Sequence, residues 1–538
     1  MADLASEAGR SGGEPVSPGP STGAIAAGVA RGGVANLLGA MVYGLSGFVL
    51  LVVLNHGIGV SRAGVVIVAI AIFSILTTVA GIGTSTGLVR TISRLRARRQ
   101  AEIIPMIVRA ALVPVTVAGL AAGAALWYFA PHLATLFADG DQVEGVTSVL
   151  RAMAPFVPAA TLHNVVVQAT RGFDTMSPQV VIEKIGRSIT LPIACGAAAY
   201  AGGSPELIGA LWAGTNLVAL VFSWRALHVR VDRAVTAADK VPPSRRDPEV
   251  VKEFWAYTGP RAIALMSTIA VSWLDTIIVG AIVSATAAGI YASGTRYLMP
   301  GLFAGDALVQ VIGPRLSGFL STGRKREASD IVQVAGGWQV LTMWPIYLVT
   351  LTFPTPLLRV FGDEVVGARG ALIALSVAML LSAPTGPTGA VILMSGKSRQ
   401  AMFNSLAVLA VNVAGNLIFV PRHGITAAGI VWAVSIQVNN VLTTWQSNRS
   451  IGIRTFGAPA FTAMAVSTVS FGLVGLTARF LWGDAWGGLI AVSIIGTVLY
   501  ALGVWRFRQR LHVDSWWNGV RGRSGKRTVA VPSAQGTT

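Results

Sequence analysis

The chain has 538 residues, 53% of them hydrophobic and 12% charged, with a formal net charge of +18. A soluble domain carries about 25% charged residues, so this composition excludes an ordinary globular protein and points to the membrane class. The excess of Lys and Arg then belongs to cytoplasmic loops rather than to a nucleic-acid interface, because no basic stretch carries the interleaved aromatics that stack bases.

In chain order, Met1 to Gly32 is rich in Pro, Gly and Ser. It lacks the basic start and short apolar core of a signal peptide and reads as a disordered cytoplasmic tail. A membrane span needs about 20 mostly apolar residues. Runs meeting that condition fall near 33–55, 63–89, 105–130, 146–169, 178–201 and 205–227, then 254–282, 286–313, 331–357, 367–394, 400–420, 425–446, 457–480 and 486–505. They predict an all-α polytopic membrane protein of about fourteen helices. With the amino terminus inside, the inward segments carry 29 basic residues and the outward loops 5. That bias puts both termini in the cytoplasm.

The second half of the chain resembles the first at an offset of about 225 residues. Ala63-Gly64 recurs as Ala288-Gly289, Arg90 as Arg315, Arg99 as Arg324 and Glu102 as Glu327. Gly209 and Trp212-Ala213 recur as Gly429 and Trp432-Ala433. Six helices separate the copies, so both face the same way across the membrane. Parallel repeats suit a transporter whose lobes rock about a central cavity. The expected organisation is a tail (1–32), an N-lobe of six helices (33–228), a basic cytoplasmic linker (229–252) and a C-lobe of six helices (253–448). Two extra helices (449–510) and a basic cytoplasmic tail (511–538) follow.

Several chemistries find no support. The single cysteine, Cys195, allows no intramolecular disulfide or Cys cluster, and the six histidines lack ligand spacing. Gly396-Lys397-Ser398 ends like a P-loop, but the earlier glycine is missing and a membrane helix precedes it, so ATP is not expected. The outward loops are short, and Asp139 and Asp363 are the only loop acids placed for glycosyl transfer. No cofactor or metal is expected.

Charges within spans carry the information, because each costs at least about 2.5–3.5 kcal/mol at mid-bilayer. Reflecting the seventh and eighth helices about their turn puts Arg261 and Asp306 at one depth, and Arg296 and Asp275 at another. Either these are two structural ion pairs, or the arginines face a cavity and hold an anion while the carboxylates exchange a proton or bind a cation. Arginine suits phosphate because its planar donors engage two oxygens at once. Arg151 is a further candidate for substrate, and Glu183 for ion or proton coupling. Glu183 also stands one turn from Arg187 and is expected to pair with it. His163, Asn164, Asn412 and Asn416 either line the cavity or bond between helices, the latter being the commoner role of such residues.

Phe254-Trp255, Gly259-Pro260-Arg261 and Trp273-Leu274-Asp275 resemble the seventh-helix opening of polysaccharide-exporting flippases. Thr170-Arg171-Gly172, Ala288-Gly289-Ile290-Tyr291 with Arg296, and Gly424-Ile425-Thr426-Ala427-Ala428-Gly429 resemble their other signatures. These belong to the O-antigen flippase branch of the multidrug/oligosaccharidyl-lipid/polysaccharide exporter superfamily, and the resemblance spans about residues 33–510. It implies a V-shaped pair of six-helix lobes around a cationic cavity, in a bacterial cytoplasmic membrane. It also implies flipping of a polyprenyl-diphosphate-linked oligosaccharide, driven by an H+ or Na+ gradient, with Arg261, Asp275 and Arg296 in the functional set. Polysaccharide-assembly proteins are conceivable partners. The first helix departs from lipid II-flipping relatives: Asn36 is its only strongly polar early position. The alternatives are a drug or metabolite exporter of the same superfamily, a membrane-embedded glycosyltransferase or ligase, and an envelope-assembly scaffold.

Overall fold

A computed structural model describes residues 22–138, 142–236 and 247–511, and among them every regular element is helical. Ten helical segments are long and apolar enough to cross a membrane by length and composition. The protein is a multi-pass membrane protein. Each of the fourteen apolar runs falls on helical backbone, but several are interrupted within the run.

The amino-terminal bundle holds α1 (Thr22–Ile58), α2 (Val60–Ala80), α3 (Thr84–Ala97), α4 (Ile104–Ala134), α5 (Gln142–Met153), α6 (Val157–Ala169), α7 (Ser188–Tyr200) and α8 (Pro205–Thr236). The helix begins at Thr22, ahead of the apolar run that starts near residue 33. No proline follows Pro20 until well inside the bundle, so nothing upstream of residue 33 stops the helix. Residues 1–21, the linker core 237–246 and the carboxy-terminal 512–538 lie outside the described residues, as does Asp139. Leu54, Phe73, Leu126, Val149 and Val157 form much of this bundle's core, with Phe73 edge-on to Trp212 at 5.6 Å.

The second bundle holds α9 (Asp247–Ile282), α10 (Ala285–Thr295), α11 (Met299–Ser321), α12 (Lys325–Thr352), α13 (Pro354–Arg359), α14 (Arg369–Ser382), α15 (Thr388–Met394) and α16 (Ser398–Gln446). Gly424, at φ 58° and ψ −141°, breaks α16 into two antiparallel-capable halves, and only glycine takes such a conformation without strain. The sequence boundary between runs 400–420 and 425–446 falls there. The last helices, α17 (Ala458–Ser467), α18 (Val474–Trp482) and α19 (Trp486–Arg506), pack along α12. Tyr500 donates to the Leu341 carbonyl at 2.5 Å, and Trp338 Nε1 to that of Leu511 at 2.9 Å. Large apolar side chains such as Phe129, Leu217, Phe461 and Phe480 are exposed, as a lipid-facing surface requires.

The two bundles meet along α2, α3 and α1 on one side and α9, α10 and α11 on the other. At one end of this seam, Gly64 and Gly289 touch. A Cβ on Gly289 would stand 2.7 Å from the Gly64 Cα, and one on Gly64 would stand 2.3 Å from the Ala285 carbonyl oxygen. No other residue permits that approach. Thr286 Oγ1 donates to Ser61 Oγ at 3.1 Å beside them, and Ala285 N to the Phe137 carbonyl at 3.2 Å. At the opposite end, Arg94 pairs with Glu253, and the Arg90 guanidinium lies 3.9 Å from the Tyr257 ring centre.

Candidate functional site

Arg296 follows the last turn of α10, where the chain tightens through Arg296–Leu298 before α11. Its guanidinium points to α1: Nη1 would stand 3.5 Å from a Cβ on Gly47, and Tyr43 is its electrostatic neighbour. It forms no ion pair among the described residues, and its Nε is buried without a hydrogen-bond partner. An interior guanidinium without a counter-charge is costly, and it is a ready receptor for an anion. Of the two readings left open for Arg296 and Asp275, the ion pair is not formed among the described residues. Depth alone did not account for azimuth: Arg296 faces α1, whereas Asp275 faces α16.

Asp275 is buried, at 4% exposure. Asn416 Nδ2 donates to its Oδ1 at 2.9 Å and Tyr291 OH to its Oδ2 at 3.4 Å. Asn416 also donates to Asn412 Oδ1 at 3.2 Å. Asn412 and Asn416 lie four residues apart on α16 and so project from one face. Asn416 Oδ1 and Asn412 Nδ2 are left without partners, so this dipolar cage is not saturated. Asn416 is thus an interhelical partner, the second of the two roles its sequence position allowed, and Asn412 accepts from it within α16.

Arg261 lies in α9, but its side chain falls outside the described residues, and with it the expected pairing to Asp306. Its neighbour Ala262 presses its backbone against Gly83, at the break between α2 and α3, so this stretch of α9 belongs to the seam. Asp306 is exposed in α11 and has Lys184 of the other bundle as its electrostatic neighbour. Arg151 is not brought to the seam. Its guanidinium lies 5.7 Å from the ring centre of Trp127, which is half-exposed on α4.

Glu183 occupies a π-helical stretch, Gln179–Arg187, ahead of α7. It pairs with Arg187 at 3.1 Å, as their one-turn spacing predicts. It also meets a partner that the sequence did not link to it: His163 Nε2 lies 2.5 Å from Glu183 Oε2. His163 is fully buried in α6, and its Nδ1 lies 3.1 Å from Ser223 Oγ on α8. Arg187 Nε donates to Thr215 Oγ1 at 3.3 Å, and its guanidinium stands 5.3 Å from the Trp212 ring centre. Thr215 and Ser223 are eight residues apart, hence on one face of α8, and that spacing was the available signal. Among the described residues, no group of three or more His, Cys, Asp or Glu could hold a metal ion. Of the two loop acids weighed for glycosyl transfer, Asp363 is 91% exposed and pairs with Arg359 at 3.3 Å.

The chain resembles known proteins in sequence and in fold. Residues 29–319 match the family model described as polysaccharide biosynthesis protein. A probable low-salt glycan biosynthesis flippase, Agl15 of Haloferax volcanii, is 24% identical over 246 residues, covering 43% of this chain. The chain spans about half (50%) the length of that curated relative. Among solved structures, the lipid II flippase MurJ in an inward closed conformation superposes with a TM-score of 0.67 at 13% identity, over 88% of this chain and 98% of that one. The multidrug transporter DinF-BH, of the MATE type, gives 0.57 at 17% identity, over 80% and 96%. These likenesses give the fold of such membrane transporters. With over half of its residues matching the family model, this chain belongs to the polysaccharide biosynthesis protein family.

Proposed function

We propose that this protein is a flippase that moves a polyprenyl-diphosphate-linked oligosaccharide across the bacterial cytoplasmic membrane for cell-surface polysaccharide synthesis. The observation that carries this reading is Arg296: a guanidinium between the bundles, facing α1, with no carboxylate paired to it among the described residues. A diphosphate supplies the missing charge and fits the fork of donors. The family membership and the name of the Haloferax relative support a lipid-linked glycan as cargo. Arg261 is assigned to the same anion site from its place in α9 beside the α2–α3 break. An exporter of cationic drugs would want acids where Arg296 stands.

In this reading the amino-terminal and carboxy-terminal bundles are the two lobes, 33–228 and 253–448, with fourteen spans and both termini in the cytoplasm. Gly64–Gly289 then closes the outer end of the seam. Rocking about the seam exposes Arg296 to each side in turn, the alternating access of parallel repeats. An H+ or Na+ gradient drives the cycle, with Asp275, Asp306 and Glu183 as the carboxylates able to carry the ion. The experiment is flipping of a fluorescent polyprenyl-diphosphate oligosaccharide in proteoliposomes. Transport by the native protein and its loss in Arg296→Ala are expected. Absence of flipping by well-folded native protein with several glycans would overturn the assignment.

A further inference from the structure

We propose that His163 and Glu183 form a reversible proton-binding site in the amino-terminal bundle, through which a proton gradient drives transport. The inference rests on the transport reading above and names its coupling ion. It starts from hydrogen-bond accounting. Ser223 Oγ has one hydrogen, and it can donate to the Leu220 carbonyl at 3.1 Å. When it does so, it accepts from His163 Nδ1–H at 3.1 Å, while Nε2–H donates to Glu183 Oε2 at 2.5 Å. Both ring nitrogens then carry hydrogen, and the imidazole is a cation beside a carboxylate. If the Nδ1 proton leaves, the Ser223 hydroxyl turns from Leu220 to Nδ1 and donates there. Nε2–H stays on Glu183. Both protonation states leave every ring nitrogen partnered, as a buried group that gains and loses a proton requires. An ordinary core histidine needs only one such arrangement.

The surroundings connect this site to the seam. The charged or titratable groups facing it are Glu183 and Arg187 on the π-helical stretch, with the Cys195 thiol of α7 as Arg187's electrostatic neighbour. From α8 come Ser223, Thr215 and Trp212, which are neutral. A π-helical stretch shifts the facing of successive side chains, and such distortions concentrate at functional sites. Here it sends Glu183 inward to His163 and Lys184 outward, with Lys184 Cβ 3.1 Å from a Cβ on Gly39 of α1 and Asp306 of α11 as its electrostatic neighbour. A change of charge at His163 therefore acts on the same short segment that carries an attraction between the bundles. The proton enters and leaves at Nδ1; no other bond forms or breaks.

Two measurements test this. In sodium-free proteoliposomes, a pH gradient is expected to accelerate flipping by the native protein about tenfold, a free-energy difference of about 1.4 kcal/mol. In His163→Gln that ratio of rates is expected to fall to one; a ratio equal to the native one overturns the proposal, as does native flipping indifferent to the gradient. The second measurement needs no substrate, so it separates failure of the proton site from failure of the flippase reading. Detergent-purified protein acidified from about pH 8 to 5 is expected to take up about one proton more than His163→Gln. Equal uptake overturns the site. Ser223→Ala removes the acceptor of Nδ1–H, so its uptake curve is expected to differ from the native one; an identical curve counts against the hydroxyl switch.

Discussion

Each bundle buries a carboxylate, and the two solve the problem in different ways. In the amino-terminal bundle, Glu183 stands between His163 and Arg187, and Thr215 and Ser223 take up the remaining donors. In the other bundle, Asp275 has no cation among the described residues; Asn416 and Tyr291 solvate it with dipoles, and atoms of Asn412 and Asn416 remain unmatched. Arg296 completes the contrast as a cation with no paired acid among the described residues. A closed ion network holds helices together, because removing one member strands the others. An open site stores a vacancy in its electrostatics and gains from a ligand. The bundle of α1 to α8 is thus internally balanced, and the seam and α9 to α16 carry the unbalanced charge.

The largest expected effect concerns Arg296. Arg296→Ala is expected to lower the flipping rate by about 100-fold or more, the scale of a lost charge-assisted bidentate contact, while Arg296→Lys retains a measurable fraction. Equal flipping by both variants and native protein would remove Arg296 from the open half of the comparison. The same chemical change made in each bundle comes next. Glu183→Gln strands Arg187 and is expected to destabilise by about 3–5 kcal/mol, whereas Asp275→Asn removes a buried charge that lacks a cation and is expected to stabilise by about 1–2 kcal/mol. Denaturation followed by intrinsic tryptophan fluorescence reads both, and like signs would erase the distinction. Whether the bundles move against each other is tested at Ser61 and Thr286, whose oxygens lie 3.1 Å apart. A Ser61→Cys/Thr286→Cys pair is expected to cross-link and stop flipping until reduced, with native Cys195 buried and out of reach. The smallest effect is at Gly64→Ala, expected to cost about 1–3 kcal/mol by overpacking against Ala285 and to slow transport in proportion to how often the seam must close.

Much of this architecture was legible because bilayer thickness and backbone hydrogen bonding leave few alternatives to apolar helices. Gly64 and Gly289, matched in the sequence at an offset of 225, turn out to touch. Arg296 and Asp275 stood out because interior charge is expensive. Their relation stayed open between two readings because reflection about a turn fixes depth but not the direction a side chain takes around its helix. Arg151 was grouped with the anion site by charge alone, whereas its stem and guanidinium lie against Trp127. The link from His163 to Glu183 depended on a π-helical stretch, and no residue pattern in 179–187 announces one.

The glycine contact has a consequence beyond packing. Gly64 meets Gly289 and Ser61 meets Thr286, each residue facing its own counterpart 225 positions away. A two-fold axis produces that geometry, and it is the arrangement of an isologous homodimer carried within one polypeptide. In a true homodimer, any substitution at such an axis enters both sides together. Fusion of the halves removes that restriction. Ser61 and Thr286 have already diverged, and the His163–Glu183 network and the Asp275 cage each belong to one half alone. Joining two equal parts in one chain is what permits them to become unequal.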